Sequence, residues 1–130
     1  MRAPARPWRR ELGGRARRAG RLSEVIAAAW LTLKGYQVLA LRLKAGRGDI
    51  DILARRGRVL ALVEVKRRET PEAALDSLGP DQRDRLLDAG RGLLQKRRSL
   101  AGLDLRLDLI AFSPRRWPRH FRGLIVDRVD

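Results

Sequence analysis

The chain has 130 residues, 44% of them hydrophobic, which is enough for one domain around one core and too apolar for a disordered chain. Its net charge of +15, from 30 basic against 15 acidic side chains, makes a polyanion, nucleic acid first, the expected partner class. The absence of cysteine excludes disulfides and thiolate metal sites, and a single histidine argues against a zinc centre or a Ser-His-Asp triad.

Carboxylates and lysines must therefore carry any chemistry. The bland account of the charge is codon usage, since only four basic residues are lysine, which leaves 26 arginines. No apolar run approaches a membrane span, and the basic N-terminus lacks the apolar segment of a secretory signal. No membrane partner is expected, and a cysteine-free chain suits a reducing, cytoplasmic compartment.

Residues 1–21, MRAPARPWRRELGGRARRAGR, are rich in Arg, Gly and Pro and read as a flexible basic tail, with residues 22–130 as the folded domain. The tail either contacts phosphates or is a leader without function. SEVIAAAWLTLK (23–34) has helical spacing, with Ser23 as N-cap, Gly35 as stop, and Val25, Ile26, Ala29, Trp30 and Leu33 as the apolar stripe. Three β-like runs follow at 36–44, 49–55 and 58–67, the last two joined by an Arg56-Gly57 turn. Residues 68–79 read as a loop. Pro80 opens a helix to about Arg98, with Leu86, Leu87, Gly90, Leu93 and Leu94 facing inward. A fourth strand covers 103–112, a proline-punctuated loop follows, and GLIVDRV (123–129) is a short last strand.

The first three strands form an antiparallel meander, and the helix after them is long enough to cross over to a parallel fourth strand. The fold class is α/β with an αβββαβ core, a mixed sheet flanked by helices.

Strand parity singles out one patch. With Arg56-Gly57 as the turn, Ile52 faces Ala61 and Ile50 faces Val63, which collects these four on one apolar face. The other face carries Asp49, Asp51, Leu62, Glu64 and Lys66. Asp51 then lies diagonal to Glu64, roughly 7–8 Å apart at Cα, and a loop two residues longer would put them directly opposite. Neighbouring carboxylates repel, and a divalent cation removes the conflict. Asp51, Glu64 and the Val65 carbonyl supply oxygen ligands for Mg²⁺ or Mn²⁺. Lys66 sits where it could orient or deprotonate a water, or neutralise a phosphate. The competing account is a solvated strand face with a marginal Glu64–Lys66 ion pair. Glu24, taken alone, reads as a first-turn glutamate favoured by the helix dipole.

SEVIAAAWLTLKGY, RGDIDILAR, LVEVKRR and LRLDLIAF, in that order, resemble the bacterial YraN-like family, which is placed in the PD-(D/E)xK nuclease-like superfamily with restriction endonucleases and Holliday-junction resolvases. The likeness runs from about Gly20 to Val129. It implies a restriction-endonuclease-like fold and a metal-dependent nuclease for DNA, branched or structured DNA included. It implies roles for Glu24, Asp51, Glu64, Lys66 and Gln82, with Glu24 joining the metal ligands, and a late motif at Arg106 and Asp108. Ser23 stands where the family has Gly, Asp49 replaces Glu, Leu107 replaces Phe, and Gln82 stands where lysine is common. Superfamily nucleases often dimerise, so a homodimer is one expected assembly.

Arg47, Arg67, Arg68, Arg115, Arg116 and Trp117 are the candidate nucleic-acid contacts, with DNA favoured over RNA. The plain account of Trp117 is a ring packed on its own domain. Two other functions remain open: a non-catalytic nucleic-acid-binding module, and a basic protein partner in a ribonucleoprotein or replication assembly.

Overall fold

A computed structural model describes residues 21–128; most of the proposed basic tail lies outside the described residues. Helix α1 (21–33) is followed by β1 (Gln37–Ala45), β2 (Gly48–Arg56) and β3 (Val59–Arg67), then α2 (Pro71–Ser77) and α3 (Pro80–Lys96). A 3₁₀ turn (Arg98–Leu100) leads to β4 (Asp104–Phe112) and β5 (Arg119–Asp127). The five strands form one sheet in sequence order, antiparallel throughout except for the parallel β3–β4 pair. The expected meander, crossover and mixed sheet are all present. Among the described residues no helix is long and apolar enough to cross a membrane.

Both faces of the sheet are covered, which is why β3 reads as a nearly unbroken apolar run. On one face Ile52, Ala54, Ala61, Val63 and Ile110 pack with Ala27 and Leu31 of α1 and with Tyr36. On the other, Leu53, Leu60, Leu62, Leu105 and Leu107 pack with Leu86, Leu87 and Leu93 of α3. Each such leucine contributes about 1.5–3 kcal/mol through burial. Helix α3 lies close to the sheet at Gly90, where a Cβ would stand 2.6 Å from Leu62 Cδ1.

Several expectations need correction. Ser23 lies inside α1 and is buried, so it is not the N-cap. The helix turns Ser23, Ala27 and Leu31 to the sheet, while Leu22, Val25, Ile26 and Leu33 are exposed. Small side chains at Ser23 and Ala27 let the helix approach, and Leu31 fills the contact beyond them. The 68–79 loop contains α2, capped by the Thr70 hydroxyl, which accepts the Ala73 N–H at 3.0 Å, with Pro71 in the first turn. β5 begins at Arg119 and not at Gly123.

The β2–β3 turn is Gly57-Arg58, not Arg56-Gly57, with Gly57 at φ +59° in the leading turn position. The register moves by two residues: Ile52 faces Val63 and Ala54 faces Ala61. A two-residue shift leaves parity intact. Ile50, expected beside Ile52, joins the cluster under α3 instead. β2 pairs with β3 only from Ile52 onward, so its earlier residues follow β1 and turn beneath α3.

Candidate metal centre

The point where β2 leaves β3 is also where the acidic residues meet. Continuing the observed register places Asp51 opposite Glu64, but the backbone ladder has already ended. The Asp51 carboxylate closes the gap by accepting the Val65 N–H at its Oδ2, 2.8 Å away. A residue's N–H and C=O point to the same side of a strand, so the Val65 carbonyl also faces this gap.

Glu64 is 6% exposed. Its Oε1 accepts from Gln82 Nε2 of α3 at 3.0 Å and lies 3.4 Å from Lys66 Nζ. Its Oε2 is buried with no hydrogen-bond partner. Burial, and then the charge of Asp51, push the Glu64 carboxyl up to about 8, with Lys66 offsetting only part. Burial also raises the Asp51 carboxyl, against the Val65 N–H, Glu64 and Lys66. Each carboxylate's charge bears on the other, a repulsion that a cation between them would relieve.

Glu24, on α1, stands apart from this pair. Its Oε2 is 3.4 Å from Arg42 Nη1, an attraction between charges without a hydrogen bond. Burial and the charge of Asp51 raise its carboxyl, opposed by Arg42 and Arg21. Arg42 sits in β1 at φ +48°, a left-handed conformation that costs a non-glycine residue about 1–2 kcal/mol. Nothing in the sequence pattern marked Arg42. Among the described residues no three acidic or imidazole side chains form a cluster ready to enclose a metal ion. Asp51, Glu64, Lys66, Gln82 and Val65 are together; Glu24 is the outlying member.

The oxygen set nevertheless fits a hard divalent cation. It offers two carboxylates, one with an orphaned buried oxygen, and a backbone carbonyl facing the same gap. Asp51, Glu64 and the Val65 carbonyl are the residues that could hold Mg²⁺ or Mn²⁺.

A second polar cluster lies on the α1 side. Asp108 is fully buried and takes both Arg106 Nε and Nη2 at 2.8 Å, the Gly123 N–H at 3.0 Å, and His120 Nε2 at 2.8 Å. Burial alone would raise its carboxyl, but His120, Arg106 and Gly123 together outweigh it and hold it below the usual range. Lys34 Nζ lies 2.6 Å from His120 Nδ1, and Arg106 also donates to the Tyr36 hydroxyl. A neutral imidazole with its proton on Nε2 satisfies both neighbours. Arg106 and Asp108 thus tie α1, β4 and β5 together, away from the Glu64 pair. The lone histidine serves this network and was not singled out from sequence.

The basic candidates divide. Arg47 pairs with Asp88 at 3.0 Å, and Arg68 donates to the Arg67 carbonyl at 2.8 Å. Arg67, Arg68, Arg115 and Arg116 are exposed. Trp117 is 92% exposed, so the expectation of a ring packed on its own domain is wrong. A cleft of about 940 Å³ opens between Leu22 and Ile26 of α1 and the ends of β3 and β4, at Arg67, Arg68, Phe112 and Pro114.

The αβββαβ order, the mixed sheet and the carboxylates at the β2–β3 divergence define an endonuclease-like α/β core. Residues 23–112 match the family described as "Uncharacterised protein family UPF0102", and the chain belongs to it. A UPF0102 protein of Caulobacter vibrioides (strain NA1000 / CB15N) is 54% identical over 112 residues, covering 86% of this chain and 90% of that protein. One from Caulobacter sp. (strain K31) is 48% identical over 121 residues, covering 90% and 87%. One from Methylorubrum extorquens (strain PA1) is 43% identical over 120 residues, covering 92% of each chain.

Proposed function

We propose that the protein is a divalent-metal-dependent nuclease that hydrolyses phosphodiester bonds in DNA, branched or structured DNA included. The observation that carries this reading is the pairing of the half-buried Asp51 with the buried Glu64 at the strand divergence, with Lys66 Nζ 3.4 Å from the Glu64 carboxylate. Such a pair is destabilising without a cation, and the net charge of +15 supplies the attraction for a polyanionic substrate.

Bound Mg²⁺ or Mn²⁺ would supply Lewis-acid polarisation of the phosphoryl group and a more acidic water. The chain's own residues do the rest. The Val65 N–H fixes the Asp51 rotamer, and Gln82 from α3 fixes Glu64. Lys66 presents its ammonium beside Glu64, where it orients water or offsets charge developing on the phosphate. Water oxygen forms the new bond to phosphorus, the ester P–O bond breaks, and the leaving oxygen takes a proton. Glu24, held 3.4 Å from Arg42, would join the residues that hold the ion if that ion pair opened. Arg67, Arg68, Arg115, Arg116 and, at the far edge, Arg47 contact the DNA backbone. A homodimer would pair two such sites for cutting both strands.

The test is cleavage of single-stranded, duplex and branched DNA with Mg²⁺ or Mn²⁺ by wild type, Glu64→Ala and Lys66→Ala. Metal-dependent cleavage by the wild type alone is expected. Equal residual activity in all three proteins would sink the proposal.

The second reading is a nucleic-acid-binding module without catalysis, favoured by the exposed Arg115-Arg116-Trp117 turn. Tight, salt-sensitive binding with no metal-dependent cleavage would select it.

A further inference from the structure

The geometry points to the turn after β4 as a stacking platform for an unpaired base, so that the preferred ligand is nucleic acid with a single-stranded segment. This rests on the nucleic-acid reading above and deepens it. The matched family span ends at Phe112, and the turn lies beyond it.

Three observations support the platform. First, Trp117 is 92% exposed although indole is the side chain with most to gain from burial. Second, the ring is presented on a fastened turn. Pro114 and Pro118 bracket it, Arg115 takes φ +62°, and the Arg116 N–H bonds to the Ser113 carbonyl at 3.4 Å. Immediately after it, Arg119 pairs with Glu72 at 3.3 Å and lies over the Phe121 ring at 4.5 Å. Third, residues 113–123 contain four arginines and no acidic residue. An aromatic face among cations is the chemistry that holds a stacked base and its phosphates, whereas a duplex keeps its bases from such a ring.

Position supports it too. Arg67 pairs with Phe112 across the parallel ladder, and the Arg68 N–H bonds to the Phe112 carbonyl at 3.0 Å. The turn therefore starts beside the strand end that carries Lys66. A strand whose base stacks on Trp117 runs its phosphates past Arg67 and Arg68 toward the acidic pair.

The experiment is fluorescence anisotropy in EDTA with labelled oligothymidylate and with a labelled duplex, for wild type, Trp117→Ala, Trp117→Phe and the double variant Arg115→Gln/Arg116→Gln. Trp117→Ala should weaken single-strand binding about fivefold to a hundredfold and leave duplex binding unchanged. Trp117→Phe should recover most of the loss. The arginine variant should weaken both ligands and flatten the salt dependence. Unchanged single-strand affinity in Trp117→Ala, or an equal loss on the duplex, overturns the platform. Since EDTA removes catalysis, failure of the nuclease reading leaves this outcome intact. Binding of neither ligand by the wild type would remove the nucleic-acid reading and the platform together.

Discussion

Asp51 reaches across the break between β2 and β3 to take the backbone N–H of Val65 at 2.8 Å, substituting a side chain for the missing ladder bond. That bond spares Val65 an orphaned donor and sets the Asp51 carboxylate beside Glu64. Asp51→Ala should therefore cost about 1–3 kcal/mol in stability by leaving the Val65 N–H unpaired. It should also abolish Mn²⁺ binding in calorimetry. Asp51→Asn, which keeps an acceptor, should recover stability without recovering metal affinity. Equal Mn²⁺ binding in wild type and both variants would remove Asp51 from the metal site.

Opposite pH effects are built into the two buried carboxylates. Glu64 titrates near 8 in the folded protein against its ordinary 4.5, so the folded state holds more protons than the unfolded state between those values. Metal-free stability must fall as pH rises from about 4.5 to 8. Asp108 has a depressed carboxyl, so its contribution is present above the ordinary aspartate range and lost as pH falls through the folded value. Thermal melts in EDTA should show Glu64→Gln removing the alkaline-side slope and Asp108→Asn weakening the acid-side one. A Glu64→Gln slope identical to wild type would refute the assignment.

Arg42 competes for Glu24. Arg42→Ala should free that carboxylate for the cation and tighten Mn²⁺ binding about two- to fivefold, the size of a partly exposed ion pair. Adding Glu24→Gln should cancel the gain. Unchanged affinity in Arg42→Ala would exclude Glu24 from the ligand set.

The Asp108 network is structural glue. Asp108→Ala strands the Arg106 guanidinium and should cost about 3–5 kcal/mol by denaturant unfolding. Trp117→Ala, on the open surface, should stay within about 0.5 kcal/mol of wild type in the same measurement.

Gly90→Ala would place a methyl 2.6 Å from Leu62 Cδ1 and 3.1 Å from Leu105 Cδ2. Despite the better helix propensity of alanine, overpacking should destabilise by about 1–3 kcal/mol. Equal or greater stability would mean that α3 shifts freely on the sheet.

Parity made the acidic patch legible, because a strand's two-residue period places Asp51, Glu64 and Lys66 on one face whether the turn begins at Arg56 or at Gly57. The register itself was not legible, since both Arg56-Gly57 and Gly57-Arg58 close a two-residue turn around the same glycine. Thr70-Pro71-Glu72 carried a readable N-cap signal for α2 that the surrounding polar residues masked. α1 misled for a different reason. Periodicity finds most of its large apolar residues, but the packed side runs through Ser23, Ala27 and Leu31, and two of those three are small enough to escape an apolar count. Arg42 and the Lys34–His120 contact depend on pairings distant in sequence, about which local pattern says nothing.

The parallel β3–β4 pair carries a consequence for the order in which the protein assembles. Asp51 and Glu64 sit on a hairpin closed by a two-residue turn, a contact made within microseconds of chain collapse. Gln82 and the apolar cover of α3 come later in the chain, and β4 cannot dock beside β3 until Asp104–Phe112 has been brought round. The carboxylates therefore meet while still hydrated and are dried only when the crossover closes. At neutral pH, without a cation, Glu64 must capture a proton at that last step. Refolding in weakly buffered indicator dye should show proton uptake as a late phase, suppressed by Mn²⁺ and absent in Glu64→Gln.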